Sequence, residues 1–211
     1  MSNRPNVLLL FSDEHRHDAM GCAGHERVKT PHLDALAENG TRFTQAFTPS
    51  PICVPARAAL ATGQYVHQNR CWSNAEAYSG DPISWGHHLI EQGHRVDSIG
   101  KLHYRGGETH NGFEEEILPL YIRNGVGWIK GLLRDHEAFF DVSSYVREIG
   151  PGSDRYTDYD LGVTRAARQW LSDAGRAASE KPAHRNTTIF TRSTKWIARG
   201  LSQTPSCPRI R

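Results

Sequence analysis

The hydrophobic positions of the chain follow a pattern that predicts alternating strands and helices. Residues 6–11 form a short apolar run that stops at Ser12-Asp13-Glu14, which predicts a buried first strand. Residues 95–100 predict a second buried strand, which ends in Lys101-Leu102-His103. A weaker strand is predicted between them, at residues 42–48.

Apolar residues at helical spacing predict four helices. Thr30-Pro31 is typical of an N-cap and first helical residue, and glycines are typical of helix ends. The predicted helices cover about residues 31–39, 55–62, 83–92 and 158–174. The segment 104–157 is predicted to be mostly irregular.

Strands that alternate with helices indicate the α/β class of fold. In open α/β sheets, ligands bind beyond the carboxyl ends of the strands. Four residues with reactive side chains follow the two strong strands: Asp13, Glu14, Lys101 and His103. The pattern therefore predicts that these four residues lie at one edge of the sheet and form part of a binding site.

Composition narrows the class of protein. The 211 residues are 37% hydrophobic and 23% charged, which is ordinary for one large globular domain. The four cysteines lack zinc-type spacing and disulfide density, so a reducing, cytoplasmic location is expected. The first apolar run is too short to cross a membrane and lacks a cleavage site, which predicts neither a signal peptide nor a membrane span.

The distribution of charged residues along the chain changes near residue 183. Residues 184–211 contain six basic residues and no acidic residue, and they are rich in Ser and Thr without lasting periodicity. We therefore predict two units, a folded domain at 1–183 and a basic tail at 184–211 that is disordered or poorly packed. Such a tail could bind acidic partners, but six charges with little aromatic interleaving make specific nucleic-acid binding the weaker hypothesis.

Cys53 begins the most informative segment, Cys53-Val54-Pro55-Ala56-Arg57. Its thiol precedes a proline at a predicted first helical turn, and Arg57 lies on the same helical face. Helix amides and a guanidinium both attract negative charge, so an anionic group is expected beside Cys53. Two simpler interpretations stay open at this point, a buried apolar cysteine and a low-pKa nucleophile.

The other two pairs of residues also allow two interpretations each. Asp13 and Glu14 are adjacent carboxylates, which suit a hard divalent cation but also a solvated pair of charges. Lys101 and His103 could hold an oxyanion and move a proton, provided that the strand stays extended. Taken singly, a lysine on the surface and a histidine that caps a loop are the commoner outcome.

Together these segments resemble successive blocks of the type I sulfatases. The resemblance covers about residues 5–182, and Leu60-Ala61-Thr62-Gly63 strengthens it by following the cysteine motif closely. The blocks that carry it are Asn6 to Glu14, Gly21-Cys22-Ala23-Gly24, Thr30-Pro31-His32-Leu33-Asp34, Cys53-Val54-Pro55-Ala56-Arg57 and Gly100-Lys101-Leu102-His103. Asn74 to Tyr78 and Gly112 to Glu115 look most like the choline-sulfatase branch.

The resemblance implies a fold and a nucleophile. The fold would be the N-terminal part of an alkaline-phosphatase-like sandwich, with a mixed, mostly parallel sheet and helices on both faces. A separate formylglycine-generating enzyme would oxidise Cys53 to formylglycine. The aldehyde hydrate would attack sulfur, release the alcohol of a small sulfated substrate, and then expel sulfate from a sulfated hemiacetal.

It also implies roles for individual residues. Asp13, Glu14 and the formylglycine from Cys53 would bind a divalent cation, with Ca²⁺ expected and Mg²⁺ or Mn²⁺ as alternatives. Arg57 would hold the formylglycine hydroxyl, Lys101 the sulfate oxygens, and His103 would act as hydrogen-bond partner or base. Two further side chains are candidates for the substrate, Asn74 for sulfate and Trp128 for a quaternary ammonium by cation–π contact, although a lone Trp more often serves packing.

The resemblance ends where the basic tail begins. Type I sulfatases are much longer, and their second pair of metal ligands lies beyond the length of this chain. The change of composition near residue 183 suggests a shifted reading frame, a truncated gene or a divergent tail, and an impaired enzyme. Two alternatives stay open: a phosphonate or phosphodiester hydrolase of the same superfamily, and an inactive fragment whose basic tail binds acidic partners.

Overall fold

The protein is described by a computed structural model that covers residues 6–127, 152–180 and 186–193. Its centre is a parallel sheet of four strands in the order β1-β4-β2-β3. The strands are β1 (Val7–Asp13), β2 (Arg95–Lys101), β3 (Glu115–Leu120) and β4 (Asn186–Ser193). The helices are α1 (Pro31–Asn39), α2 (Cys53–Thr62), α3 (Val66–Asn69), α4 (Trp85–Glu91) and α5 (Arg155–Glu180).

Strand β2 lies at the centre of the core, since its side chains are buried on both faces of the sheet. On one face, Val96 packs in the larger apolar cluster, which includes Val54 and Ala58 of α2. On the other face, Ile99 packs against Val163 of α5. A strand that is covered on both faces is typical of parallel sheets, and it places helices on each side, as the sequence predicts.

Helix α2 forms as its sequence predicts and begins at Cys53 itself. One side of α2, formed by alanines and Val54, is buried. Gly63 ends the helix in the left-handed conformation, with φ of 67°. The Gly63 amide donates to the Ala59 carbonyl at 2.8 Å, which closes the last turn. Cys53 therefore stands at the N-terminal end of a helix that is held firmly against the core.

Before residue 121, the structure differs from the prediction in two segments. Residues 42–48 form no strand, and Phe43 and Phe47 are largely exposed, because the segment has no core to pack on among the described residues. Strand β3 lies inside the segment predicted to be irregular. Its Pro119 is tolerated because β3 is at the edge of the sheet, where one row of amides needs no partner.

Strand β4 corrects the expectation of an irregular chain after residue 183. Asn186–Ser193 pairs in parallel with β1 on one side and with β2 on the other. The charge and lack of periodicity of this segment predict an irregular chain, whereas its β-branched residues and two available neighbouring strands favour a strand. The domain boundary near residue 183 stays a prediction, and the remaining tail residues lie outside the described ranges.

Candidate active site

The site lies where β1 and β2 end, at one edge of the parallel sheet. Asp13 is the last residue of β1, and Lys101 is the last residue of β2. The Lys101 Nζ donates to Asp13 Oδ2, although the two residues are far apart in sequence. The predicted meeting of these two strand ends is therefore confirmed, and it forms a buried ion pair.

Cys53 stands directly beside this ion pair. Its Sγ lies 3.7 Å from Lys101 Nζ and 4.0 Å from Asp13 Oδ2. Helix α2 places it there, because Cys53 is the first residue of that helix and the helix end points towards the sheet edge. A thiol between an ammonium group and a carboxylate is consistent with a reactive position and excludes the interpretation of a merely apolar, buried cysteine.

Arg57 joins the helix to both strands. One turn after Cys53, its guanidinium Nη1 donates to the Lys101 carbonyl at 2.6 Å, and Nη2 lies 3.5 Å from Asp13 Oδ1. The guanidinium also stacks over the Phe11 ring at 5.0 Å. Its Nε and Nη2 have no hydrogen-bond acceptor within the part of the chain that the structure describes. Nη2 thus faces an anion already, in Asp13, and Nε is the buried donor without an acceptor.

The charges of the site favour an anion. Burial raises the pKa of Asp13, but the hydrogen bond and charge of Lys101, followed by the charge of Arg57, outweigh burial and lower it overall. Burial lowers the pKa of Arg57, which nevertheless stays protonated because its ordinary pKa is so high. One carboxylate, that of Asp13, thus faces two cations.

His103 follows β2 in the left-handed conformation, with φ of 55°. The backbone is therefore not extended there, as the sequence reasoning assumed, and strand alternation does not determine where its ring lies. Burial, Lys101 and Arg57 together lower the pKa of His103 to about 4, so its imidazole is neutral at pH 7. Its Nδ1 is buried without a hydrogen-bond partner among the described residues. A neutral, incompletely bonded imidazole can accept or pass a proton.

The predicted metal ligands are only partly brought together. Asp13 and Cys53 are adjacent, whereas Glu14 is exposed and has a positive φ of 57°. Across residues 6–127, 152–180 and 186–193, no group of three or more His, Cys, Asp and Glu residues could hold a metal ion. The divalent cation therefore stays a prediction, with Asp13 as its predicted ligand inside the site.

The two candidate substrate contacts have different outcomes. The side-chain oxygen of Asn74 accepts a hydrogen bond from the Val54 amide at 2.9 Å, a contact that the sequence analysis missed. Trp128 lies outside the described residues. Phe11, which stacks on Arg57, was also missed, although its position two residues before Asp13 placed it on the same face of β1.

An open cleft of about 900 Å³ leads to the site. Asp13, Cys53 and Arg57 line its floor, and its outer wall is apolar. The apolar wall includes Phe47, Ile52, Leu60 and Tyr65. The cleft therefore combines a charged end with an apolar flank.

Known proteins with this arrangement define the class. Two solved structures share the fold: a phosphonate monoester hydrolase of Agrobacterium radiobacter, with a TM-score of 0.62 at 21% identity, and a sulfatase of Pseudoalteromonas, with 0.63 at 18%. Each match covers 96% of this chain and somewhat less than half of the other, 45% and 48%. The fold is that of the alkaline-phosphatase-like sulfatases, present here in part.

Sequence comparison identifies the family. The family profile described as Sulfatase matches residues 5–111, about half of the chain. An ulvan-active sulfatase of Formosa agariphila is 38% identical over 148 residues, which are 70% of this chain and 28% of that protein. A choline-sulfatase of Rhizobium meliloti is 31% identical over 127 residues, 60% of this chain and 25% of that protein. The chain belongs to the sulfatase family.

The same comparisons show how much of its relatives' length the chain covers. It spans about a quarter of the length of these two curated relatives. Because the ulvan-active sulfatase is more similar than the choline-sulfatase, the choline-sulfatase branch stays a prediction. Among the described helices, none is both long and apolar enough to cross a membrane.

Proposed function

We propose that the chain forms the nucleophile-bearing part of a sulfuric ester hydrolase. The observation that carries this proposal is the position of Cys53 at the start of α2, 3.7 Å from Lys101 Nζ and one helical turn before the buried Arg57. Membership in the sulfatase family supports it, because Cys53 begins the motif that a formylglycine-generating enzyme modifies in such proteins. Formylglycine would supply the attacking hydroxyl.

The charges of the surrounding side chains indicate a different role for each of them. Lys101 would bind the sulfate oxygens, and Arg57 would hold the formylglycine hydroxyl, since its buried Nε has no acceptor among the described residues. Asp13 holds the two cations in place through its carboxylate. His103, neutral at pH 7, would take or return a proton at the nucleophile or at the leaving oxygen.

A divalent cation, Ca²⁺ or alternatively Mg²⁺ or Mn²⁺, would be held by Asp13, the formylglycine oxygen and Glu14. Bound there, it would polarise the sulfate and lower the cost of negative charge in the transition state. Glu14 would have to turn inwards from its exposed position, and further oxygen ligands would be needed. Asp13 would also have to share its carboxylate with Lys101.

The substrate class is expected to be a small sulfated alcohol. The apolar side chains that line the cleft suit the uncharged part of such an ester, and Arg57 at its charged end suits the sulfate. We keep Asn74 as a candidate sulfate contact through its amide group, and Trp128 as a candidate contact to the alcohol part.

The test is to co-express the 211-residue chain with a formylglycine-generating enzyme and to measure its intact mass and its hydrolysis of an aryl sulfate. Conversion of Cys53 and turnover that Cys53→Ala abolishes would support the proposal. Cys22→Ala is the matched control, because Cys22 is a free cysteine away from the site, and it should retain activity. Parallel assays with a phosphate monoester, a phosphodiester and a phosphonate ester, each with Ca²⁺ and with a chelator, identify the ester and the cation. An unmodified Cys53, or a converted Cys53 without turnover of any ester, would contradict the proposal for this chain.

A further inference from the structure

The first turn of α2 has no cap from its own segment. Ile52 occupies the N-cap position and has no side-chain oxygen, and Pro55 in the first turn has no amide proton to donate. The amides that open a helix need acceptors, and a helix that starts with an apolar N-cap is prone to fray there. Because Cys53 is the first residue of α2, any fraying at this end displaces the nucleophile.

The missing acceptor comes from a distant turn. The Asn74 side-chain oxygen accepts the Val54 amide proton at 2.9 Å, across twenty residues of sequence. Val54 is itself almost fully buried, so its amide has little access to water as a substitute acceptor. Asn74 thus replaces a local N-cap and does so immediately next to Cys53.

Contacts from two sides hold the turn that contains Asn74 in place. Within it, the Ala75 amide donates to the Ser73 hydroxyl at 3.1 Å. Across from it, the Gly127 amide donates to the Ala75 carbonyl at 3.2 Å, and an isolated bridge joins Glu76 to Val126.

The space at position 127 is so small that only glycine fits there. A β-carbon at Gly127 would lie 1.7 Å from the Asn74 carbonyl oxygen, much closer than atoms can approach. The glycine therefore allows the 126–127 segment to press directly on the backbone of Asn74. This close approach holds the Asn74 side chain at the start of α2.

We propose that Asn74 is a positioning residue for Cys53, and that Gly127 keeps it in place. Its oxygen fixes the first turn of α2 and thereby the thiol, 3.7 Å from Lys101 Nζ and 4.0 Å from Asp13 Oδ2. Its value to catalysis rests on the proposed function, because only a reacting group at Cys53 benefits from a fixed position. The positioning itself does not depend on any activity.

The test measures how fast iodoacetamide alkylates Cys53 in the unconverted 211-residue chain, in sulfate-free buffer, by mass spectrometry of the cysteine peptides. Cys71 is an internal control, since it is buried and reacts only when the fold opens. The neutral reagent and the absence of any ester separate this experiment from the enzyme assay. Loss of turnover would leave its result unchanged.

Asn74→Ala should accelerate the alkylation of Cys53 about threefold or more, because a lost cap lets the first turn fray and exposes the half-buried thiol. Gly127→Ala should do the same, since the added β-carbon displaces the Asn74 turn. Asn74→Asp should stay within about twofold of the natural protein, because aspartate keeps the acceptor and also suits a helix N-terminus. In all three variants the Cys71 rate should stay constant.

Asn39→Ala is the matched control, because Asn39 is exposed at the end of α1 and far from Cys53 in the fold. Three outcomes would overturn the proposal. The Cys53 rate in Asn74→Ala could equal that of the natural protein, as expected if Asn74 only contacts sulfate. Cys53 and Cys71 could accelerate together, as expected if Asn74 supports the whole fold. Finally, Asn74→Asp could react as fast as Asn74→Ala, in which case the acceptor oxygen is irrelevant.

Discussion

The residues of the site come from two parts of the molecule that differ in burial. On one side, β2 and α2 are buried, with Val96, Ile99 and Ala58 fully enclosed. On the other side, β1 and α1 are open: Leu10 is 62% exposed, and α1 has no buried residue at all. Cys53, Arg57 and Lys101 belong to the enclosed side, whereas Asp13 and Glu14 end the open strand.

This difference means that Cys53, Arg57 and Lys101 come from enclosed elements, whereas the two predicted metal ligands Asp13 and Glu14 come from an exposed strand end. Asp13 is held from the enclosed side, by Lys101 and Arg57, more than by its own strand. Strand β1 pairs with β4 along one edge, and no described strand pairs with its other edge. Glu14, one residue beyond, is exposed.

The largest effect is expected from Arg57→Ala. The substitution removes a buried guanidinium, which leaves the Lys101 carbonyl without its donor and Asp13 with one cation fewer. We expect the free energy of unfolding to fall by about 3–5 kcal/mol, measured by urea denaturation. Arg16→Ala removes an exposed ion pair with Asp18 and should leave the unfolding midpoint unchanged. Equal effects of the two substitutions would contradict the structural importance of the buried Arg57 contacts.

The contrast between the strands themselves is tested by truncating one apolar residue in each. Ile99→Ala in β2 should lower the free energy of unfolding by about 2–5 kcal/mol, because it leaves a cavity in an enclosed cluster. Leu10→Ala in β1 should cost no more than about 0.5 kcal/mol, because that side chain is mostly in water. A large loss from Leu10→Ala would show that the open side is covered in solution.

Acid should weaken the fold through His103. Its pKa is about 4 in the fold against 6.5 for an ordinary histidine, so the unfolded chain binds more protons between these values. The free energy of unfolding should therefore fall as pH drops from 6.5 to 4, by on the order of 3 kcal/mol from this residue.

His103→Gln should flatten the dependence of the urea midpoint on pH in that window. His67→Gln, which changes an exposed histidine, should retain the slope of the natural protein. An unaltered slope in His103→Gln would mean that the ring is not buried beside Lys101 and Arg57.

The smallest effect concerns the far end of α2. Gly63→Ala should lower the free energy of unfolding by about 1 kcal/mol, because φ of 67° strains any residue with a β-carbon while the space around it is open. Gly63→Asn should cost less, since asparagine tolerates the left-handed conformation. Thermal or urea unfolding separates the two variants, and an equal loss would point to packing and not to backbone strain.

The local parts of the site could be predicted from the sequence because helix and strand geometry are regular. Cys53 and Arg57 share a helical face, since four residues make about one turn, and Asp13 and Lys101 come at the ends of apolar runs. The family resemblance followed from the same short blocks and is confirmed by the match to residues 5–111.

Burial and distant partners could not be predicted in this way. The apolar face of α1 is present as predicted, yet Leu36 is 61% exposed, because periodicity indicates a face and not what covers it. Strand β4 was missed because its position depends on two neighbouring strands, each far away in sequence. The cap that Asn74 provides depends in the same way on a contact across twenty residues.

By itself, the sequence determined the set of chemical groups: a thiol before a helix, an arginine one turn later, and charged residues at two strand ends. Only the tertiary structure decided how they are paired. It joined Asp13 to Lys101 across 88 residues, buried Arg57 between them, and placed Asn74 on the amide next to Cys53. The physical reason is that local backbone geometry sets spacing along one element, whereas ion pairs, caps and burial depend on which elements the core brings together.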